Sequence, residues 1–528
     1  MSVESRLCKE IIKEEFGVYA SKVTEQLLIK GRLSLHDLIR HTHYTSKCVK
    51  EALTVLIHHG IICFSEEWRE NTIYEANPHK ILMRLRMSRI LRVTEEHYGK
   101  AGSAVCQLFF LYGRLTINQI KKLAPNDNAK HNNETTYERA FTKMAIDQFI
   151  TAVVSSHSRV LFDGQSGEEE SERYTIMAPR DKRALKLTSQ VQNDAVFEPE
   201  RIGMKRKMNE HMVESKRMAV EDDLSYKVDP TVFFTLNYEK YNITFRNNMI
   251  SDYAIDRINR TAGVVIKAFL RYGKDKMKIA KEDMSPPSTP THIANMLPPE
   301  LLTRGDIVFS HGSNTNKSRD VATAIEGYVR LLAADHVGFL IPIDECGTGY
   351  YAVNFKKLRS NMKKRLFESY VTERYGKDCC RLVRILLDKD KLTETQLQRI
   401  SMIPLRDIRR KLEALFIAGI VEIQEIPRFY DKAANHSFHL WYVPLEKCYD
   451  NLIHDIYRTI SNLQQRKTEE LQKRDWLLGK LNRSDVASNI DLLNEIDKAE
   501  VGNMNKVIER IEIAKARLDE MIMVLRDF

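Results

Sequence analysis

At 528 residues the chain is too long for one hydrophobic core and points to several domains. Its 82 Lys and Arg against 72 Asp and Glu leave a formal net charge of +10, which favours polyanionic partners but is too diluted to identify one. Apolar residues at 43% exclude a chain disordered throughout, and a content of only 21 Gly and 14 Pro argues against an all-β design.

In chain order, a first helix runs to Phe16-Gly17, a second leads to Gly31-Arg32-Leu33, two more follow, and an apolar strand opens at Gly60-Ile61. The succession returns from Tyr98-Gly99 through Gly113-Arg114-Leu115 to Phe149-Ile150. It returns again from Tyr375-Gly376 through Asp390-Lys391-Leu392 to Gly419-Ile420. From the first glycine to the leucine is 16 residues in every copy (17 to 33, 99 to 115, 376 to 392). From leucine to strand isoleucine is 28 in the outer copies (33 to 61, 392 to 420) and 35 in the middle one (115 to 150), which carries the polar insert Pro125 to Asn133. The approach to the second glycine, Val93-Thr94-Glu95-Glu96-His97-Tyr98-Gly99, is echoed by Val371-Thr372-Glu373-Arg374-Tyr375-Gly376. A degenerate copy lies between them, with Tyr272-Gly273-Lys274, a helix from Val321 to Ala334 and a strand from Val337 to Ile341.

Each copy reads as three helices and a β-hairpin, the winged-helix arrangement. In the last copy Leu382, Ile385 and Leu386 make one apolar helical face, and Ile408, Leu412, Leu415 and Phe416 make another. Thr393-Glu394 offers the middle helix a polar cap and an acid that suits its dipole. Val421 to Gln424 alternates with period two, Phe438 to Val443 returns beside it, and Pro427 to Ser437 is the polar tip. A helical solenoid is the competing reading, but its repeats run about 34 to 47 residues without strands. Here the first two copies begin 82 residues apart (17 to 99).

The expected fold class is mainly α with small β-hairpin wings: four tandem, extended winged-helix domains plus a C-terminal antiparallel coiled-coil hairpin. The expected domains are winged helices over 1–78, 79–180, 229–355 and 356–445, with the hairpin over 446–528. Residues 181–228 read as a partly disordered linker of mixed charge. The proline-rich stretch 281–319 reads as a mobile insertion in the third unit, and Gly164 to Glu172 as an acidic wing tip. In the hairpin, Tyr449, Ile453, Ile456, Ile460 and Leu463 step by 3 and 4, with Leu477 and Leu481 resuming the stripe. Asn482 to Asp485 makes the turn, and Met504, Val507, Ile511, Ala514, Leu518, Met521 and Leu525 return. An ordinary packed helix pair is the alternative.

Winged helices present their third helix to the major groove and meet phosphates with wings and helix N-termini. The last unit carries Arg406, Arg409, Arg410 and Lys411 there, against Lys47 and Lys50 in the first and Arg139 and Lys143 in the second. Two approach helices are also basic. One carries Lys80, Arg84, Arg86, Arg89 and Arg92; the other carries Lys356, Lys357, Arg359, Lys363, Lys364 and Arg365. DNA-binding candidates are therefore Arg84, Arg86, Arg89, Lys363, Lys364, Arg365, Arg406, Arg409 and Arg410. The alternative for each run is a solvated helix face or a salt-bridged protein interface. Lys205-Arg206-Lys207 with Lys216-Arg217 resembles a bipartite nuclear-import signal, or else is part of a solvated linker.

No catalytic constellation stands out: G-x-x-x-x-G-K-[ST], H-E-x-x-H and G-x-S-x-G are all missing from the sequence. Cys8, Cys48, Cys63, Cys106, Cys346, Cys379, Cys380 and Cys448 include no C-x-x-C pair, so they read as small apolar residues of a reducing compartment. His41 with His43, and His58 with His59, lack partners at ligand spacing and read as solvent-facing or structural. Neither a metal nor a cofactor is expected. Glu4, Arg6, Lys9 and Glu10 do not suit a secretory leader, and no apolar stretch approaches 18 residues, so a soluble intracellular chain is expected.

The four units, the opening Leu7-Cys8 to Phe16-Gly17 and the closing hairpin resemble the third-largest subunit of eukaryotic RNA polymerase III, over nearly the whole chain. That family is related to the alpha subunit of the initiation factor TFIIE. The resemblance implies a non-catalytic nuclear subunit seated on the clamp of the largest subunit, with two further heterotrimer subunits and the TFIIIB initiation factor as partners. It also implies promoter DNA, single- or double-stranded, as a partner in initiation and promoter opening. Two other classes fit the fold less well. A free-standing DNA-binding regulator would bind specific sequences alone, and a PCI-type scaffold would show helical repeats before a single winged helix.

Overall fold

The regular units are punctuated by backbone turns that fall where the sequence repeats. In the computed structural model, which describes residues 2–66, 72–123, 132–153, 204–206, 226–297, 317–343, 349–427, 437–488 and 493–528, helix Val3–Lys30 is broken at Gly17 (φ 85°, ψ −177°). Helix Met87–Tyr112 is broken in the same way at Gly99 (φ 70°, ψ −169°). Gly376 (φ 93°, ψ 167°) separates Phe355–Tyr375 from Lys377–Lys389. A second set of positive φ values, at Gly31, Gly113 and Asp390, reverses the chain before the conserved-offset leucine.

That leucine then pairs with a wing strand in each regular unit: Leu33 with Tyr74, Leu115 with Phe234 and Leu392 with Trp441. The next residue caps the middle helix. Ser34 accepts from the Asp37 amide, Thr116 from Gln119, and Thr393 closes a reciprocal capping box with Gln396. The third helices, Ser46–His58, Asn132–Ile146 and Leu405–Ile417, end on left-handed residues Gly60, Gln148 and Gly419. Each end has paired reverse bonds, for example Gly60 N to Ile57 O (2.9 Å) and Ile61 N to Leu56 O (2.9 Å).

The wings are antiparallel. Ile62–Glu66 pairs with Thr72–Ala76, and Glu422–Pro427 with Ser437–Tyr442 in a register that sets Ile423 opposite Trp441. In the second unit, Ile150–Ala152 pairs with Phe234–Leu236. The segment 181–228, read above as a linker between units, thus lies between two strands of one ladder; its described part includes Met204–Arg206 paired with Tyr226–Val228. The acidic tip Gly164 to Glu172 lies outside the described residues.

For residues 281–297 the third unit corrects the reading of 281–319 as a mobile loop. Ser285 and Ser288 donate their amides to Val353 O and Tyr351 O of the return strand (3.0 and 2.9 Å), and Pro290–Met296 is a helix with Ile293 fully buried. Pro290 opens that helix in the first turn, where its missing N–H is no loss. Residues 298–316 lie outside the described part.

The chain divides into two units, Met1–Tyr241 with Ile460–Ala516, and Asn242–Thr459 with Arg517–Phe528. The first has a core that includes Leu7, Leu38, Leu56, Phe141, Phe149 and Phe234. The second buries Ile250, Ile266, Phe269, Phe339, Phe355 and Phe528 in one cluster.

Toward the C-terminus, helix Leu445–Lys473 and helix Glu495–Ile522 run antiparallel. Within the first unit Gln464 bonds Lys515 (2.8 Å), Lys467 bonds Glu512 (2.6 Å) and Lys480 bonds Asp497 (2.8 Å). The turn is longer than the four residues read from the sequence, with short helices Asp475–Leu481 and Ser484–Ser488 before Glu495. Ile460, Met504 and Ile511 are buried as the stripes require, but Gln464 and Lys515 are buried beside them.

Candidate nucleic-acid interface

The third helix of the last unit is positioned by Ile408, Leu412 and Leu415, which point into the core and turn the basic residues outward. Arg406 and Arg410, one turn apart, are exposed and carry no ion pair among the described residues. Arg409 is also exposed, but its Nε donates to Glu394 at 2.8 Å, and Lys411 pairs with Asp378. Met402, in a left-handed turn just ahead of this helix, is 84% exposed. Two exposed guanidinium forks without an ion pair among the described residues can meet phosphates or base edges.

The basic run Lys80 to Arg92 is different, and corrects the reading of Arg84, Arg86 and Arg89 as a phosphate track. Arg84 is buried, pairs through Nε with Glu15, donates Nη2 to Phe110 O at 3.0 Å and lies 4.9 Å from the Phe16 ring. Burial raises the Glu15 carboxyl and Arg84 opposes that rise. Arg86 is 1% exposed, with its guanidinium against the Met83 sulfur. Arg89 is half-buried and donates to Ala516 O at 2.6 Å. These charges hold elements together rather than face solvent.

Lys363, Lys364 and Arg365 occupy an intermediate position on helix Phe355–Tyr375. Lys363 is half-buried, and burial together with the charges of Arg359 and Lys281 lowers its pKa. Lys364 is 3.7 Å from Asp388, and Arg365 is 3.6 Å from Asp256 with Tyr253 beneath it. The charges of Lys364 and Arg365 are thus matched locally, whereas Lys363 sits among like charges. Of the import-signal residues, Lys205 and Arg206 lie on the strand Met204–Arg206, while Lys207, Lys216 and Arg217 lie outside the described residues.

Among the described residues no His, Cys, Asp and Glu group could hold a metal ion, and no helix is long and apolar enough to cross a membrane. Cys8, Cys106, Cys379, Cys380 and Cys448 are buried free thiols. Cys48 and Cys63 are partly exposed, and Cys346 lies outside the described residues.

Helix-turn-helix segments backed by β-hairpin wings, within residues 33–76 and again within 377–442, define a winged-helix protein. The RNA polymerase III subunit RPC82 helix-turn-helix domain matches residues 6–67, the RNA polymerase III subunit RPC82 family matches 139–362, and the POLR3C C-terminal winged-helix domain matches 367–443. The chain is similar to the rat protein named DNA-directed RNA polymerase III subunit RPC3, 23% identical across 99% of this chain and 98% of that one. The human protein of the same name is 22% identical over the same shares, and that of Yarrowia lipolytica 23% identical over 99% and 97%. The chain belongs to the RPC82/RPC3 family of RNA polymerase III subunits.

Proposed function

We propose that this chain is a non-catalytic subunit of RNA polymerase III that works in the nucleus in transcription initiation and promoter opening. The observation that carries the reading is the end-to-end alignment with proteins named as subunits of that polymerase, 99% of this chain on 98% of the rat protein. On this reading it assembles with other polymerase III subunits, including two heterotrimer partners and the clamp of the largest subunit, and docks the TFIIIB initiation factor. Four winged-helix units and a helical hairpin form a scaffold that holds promoter DNA near the clamp. Arg406 and Arg410, exposed and without an ion pair among the described residues, are the residues best placed to touch that DNA. Nuclear import through Lys205, Arg206, Lys207, Lys216 and Arg217 belongs to the same reading and is tested by relocalisation of a variant with all five replaced by Ala.

Affinity purification of the tagged full chain, with mass spectrometry, is expected to recover polymerase III subunits in near-equal amounts. Recovery of the chain alone would favour a free-standing regulator. An Arg406→Glu, Arg410→Glu variant is expected to assemble normally and give a reduced yield of open promoter complex. A wild-type yield would remove DNA positioning from the proposal.

A further inference from the structure

The basic surface has an acidic exception. In the unit Asn242–Thr459 with Arg517–Phe528, a groove of 530 Å³ lies between helix Tyr238–Arg257, helix Phe355–Tyr375 and the chain end around Met521. Its floor is apolar and pliable, made by half-buried Met249, Met362, Leu366 and Met521. Unbranched thioether side chains adapt to differently shaped anchors, which suits a docking surface more than a rigid core. Around this floor stand four exposed carboxylates, Asp252, Asp256, Glu373 and Glu520.

Arg365 is the one cation among the lining residues, and it is already turned toward Asp256 and Tyr253. Asp252 and Glu373 have no ion-pair partner among the described residues. The local balance is therefore negative in a chain whose total is +10. Such a field repels phosphates and attracts ammonium and guanidinium groups.

We propose that this groove docks a segment of a partner protein that inserts an apolar side chain between flanking Lys or Arg residues. Methionines seat the anchor, and the rim carboxylates fix its basic neighbours, as in helix-in-groove recognition. The surface is separate from the exposed arginines of helix Leu405–Ile417, so one chain offers an acidic face to protein and a basic face to polyanions.

The test uses the full chain with a photo-cross-linking amino acid in place of Ser369, exposed on the groove wall. The chain is purified with its natural assembly, whose members are identified before irradiation. Loss of the polymerase reading and loss of the groove are thereby separate results. The expected product joins Ser369's position to a segment of another protein in which Lys or Arg flanks an apolar residue. An Asp252→Lys, Glu373→Lys variant is expected to lower that product by about tenfold or more, since like charges across an interface are strongly disfavoured. Both positions are exposed and without an ion pair among the described residues, and an unchanged melting temperature verifies the fold. Cross-links to nucleic acid, to a second copy of this chain or to an acidic segment would overturn the proposal. So would a product unaffected by the charge reversal, or a yield no higher than that from the same cross-linker placed as a control at exposed Glu469 on helix Leu445–Lys473.

Discussion

Gln148 holds a left-handed conformation (φ 63°) where glycine stands at the matching ends Gly60 and Gly419. A Cβ there costs about 1–2 kcal/mol, offset in part by the larger unfolded-state entropy of glycine. Gln148→Gly is therefore expected to raise stability by up to about 1 kcal/mol. Gly419→Ala is expected to lower it by about 1–2 kcal/mol, because the added Cβ also comes 3.1 Å from Asn451 Nδ2. Chemical denaturation of the pair decides, and a stabilised Gly419→Ala would contradict the shared geometry.

Burial, with the charge of Arg84 beside it, pushes His59 down from 6.5 to about 3. Below pH 6.5 the unfolded chain takes up a proton that the folded chain refuses. Stability therefore falls as pH drops from 6.5 toward 3, by up to about 1.4 kcal/mol per unit. His59→Gln should flatten this slope between pH 6.5 and 4.5, and an unchanged slope would exclude the site. Arg84→Ala strands Glu15 and should cost several kcal/mol, toward the lower end of the about 3–5 kcal/mol of a broken buried pair, since Glu15 can take a proton instead. The sequence could not reveal this role, because Arg84–Arg86 form a 3₁₀ turn in which helical periodicity does not tell inside from outside.

At the scale of elements, the hydrogen bonds from Lys467 join the N-terminal helix to both C-terminal helices, reaching Glu14 and Glu512 at 2.6 Å each. Burial opposes the charge of Lys467, but Glu14 and Glu512 outweigh it and raise its pKa. Burial would raise Glu512, but Lys467 and Lys515 hold it below its usual value. The stabilisation is thus present above about pH 4.5, lost on acidification through the lowered Glu512 pKa, and lost in base through the raised Lys467 pKa. Lys467→Met keeps the stem and should cost about 2 kcal/mol at pH 7, a cost that shrinks as pH falls through the lowered Glu512 pKa. A loss that stays the same size throughout that acidification would mean that packing, not charge, ties these helices.

The same scale shows where sequence reading stopped. The 16- and 28-residue offsets were legible because turn glycines, caps and apolar strands are local signals. Phe234–Leu236 was not assigned to the second wing because its partner, Ile150–Ala152, is more than eighty residues away. Prolines around Pro290 read as loop, although one opens a helix. The acidic groove was invisible for a related reason: its carboxylates come from three segments that no periodicity connects.

For the whole molecule, the order of the chain is not the order of its cores. The unit built mainly from Asn242–Thr459 is completed by Arg517–Phe528, while Ile460–Ala516 belongs with the N-terminal part. Ile522, Met523, Val524, Leu525 and Phe528 are each at most 4% exposed, and Phe528 lies in the cluster with Ile250, Phe269 and Phe355. Burial of such a side chain contributes about 1.5–3 kcal/mol, so the five together rival the stability of an ordinary domain. A chain ending at Ala516 should therefore keep its first unit folded and lose the second. Limited proteolysis with mass spectrometry is expected to place the early cuts of that truncation within 242–459, leaving Met1–Tyr241 and Ile460–Ala516 as protected as in the full chain. Phe528→Ala, a gentler change, should cost about 3 kcal/mol in the same unit. Equal protection of 242–459 in the truncated and full chains would mean that the last twelve residues rest on that core without completing it.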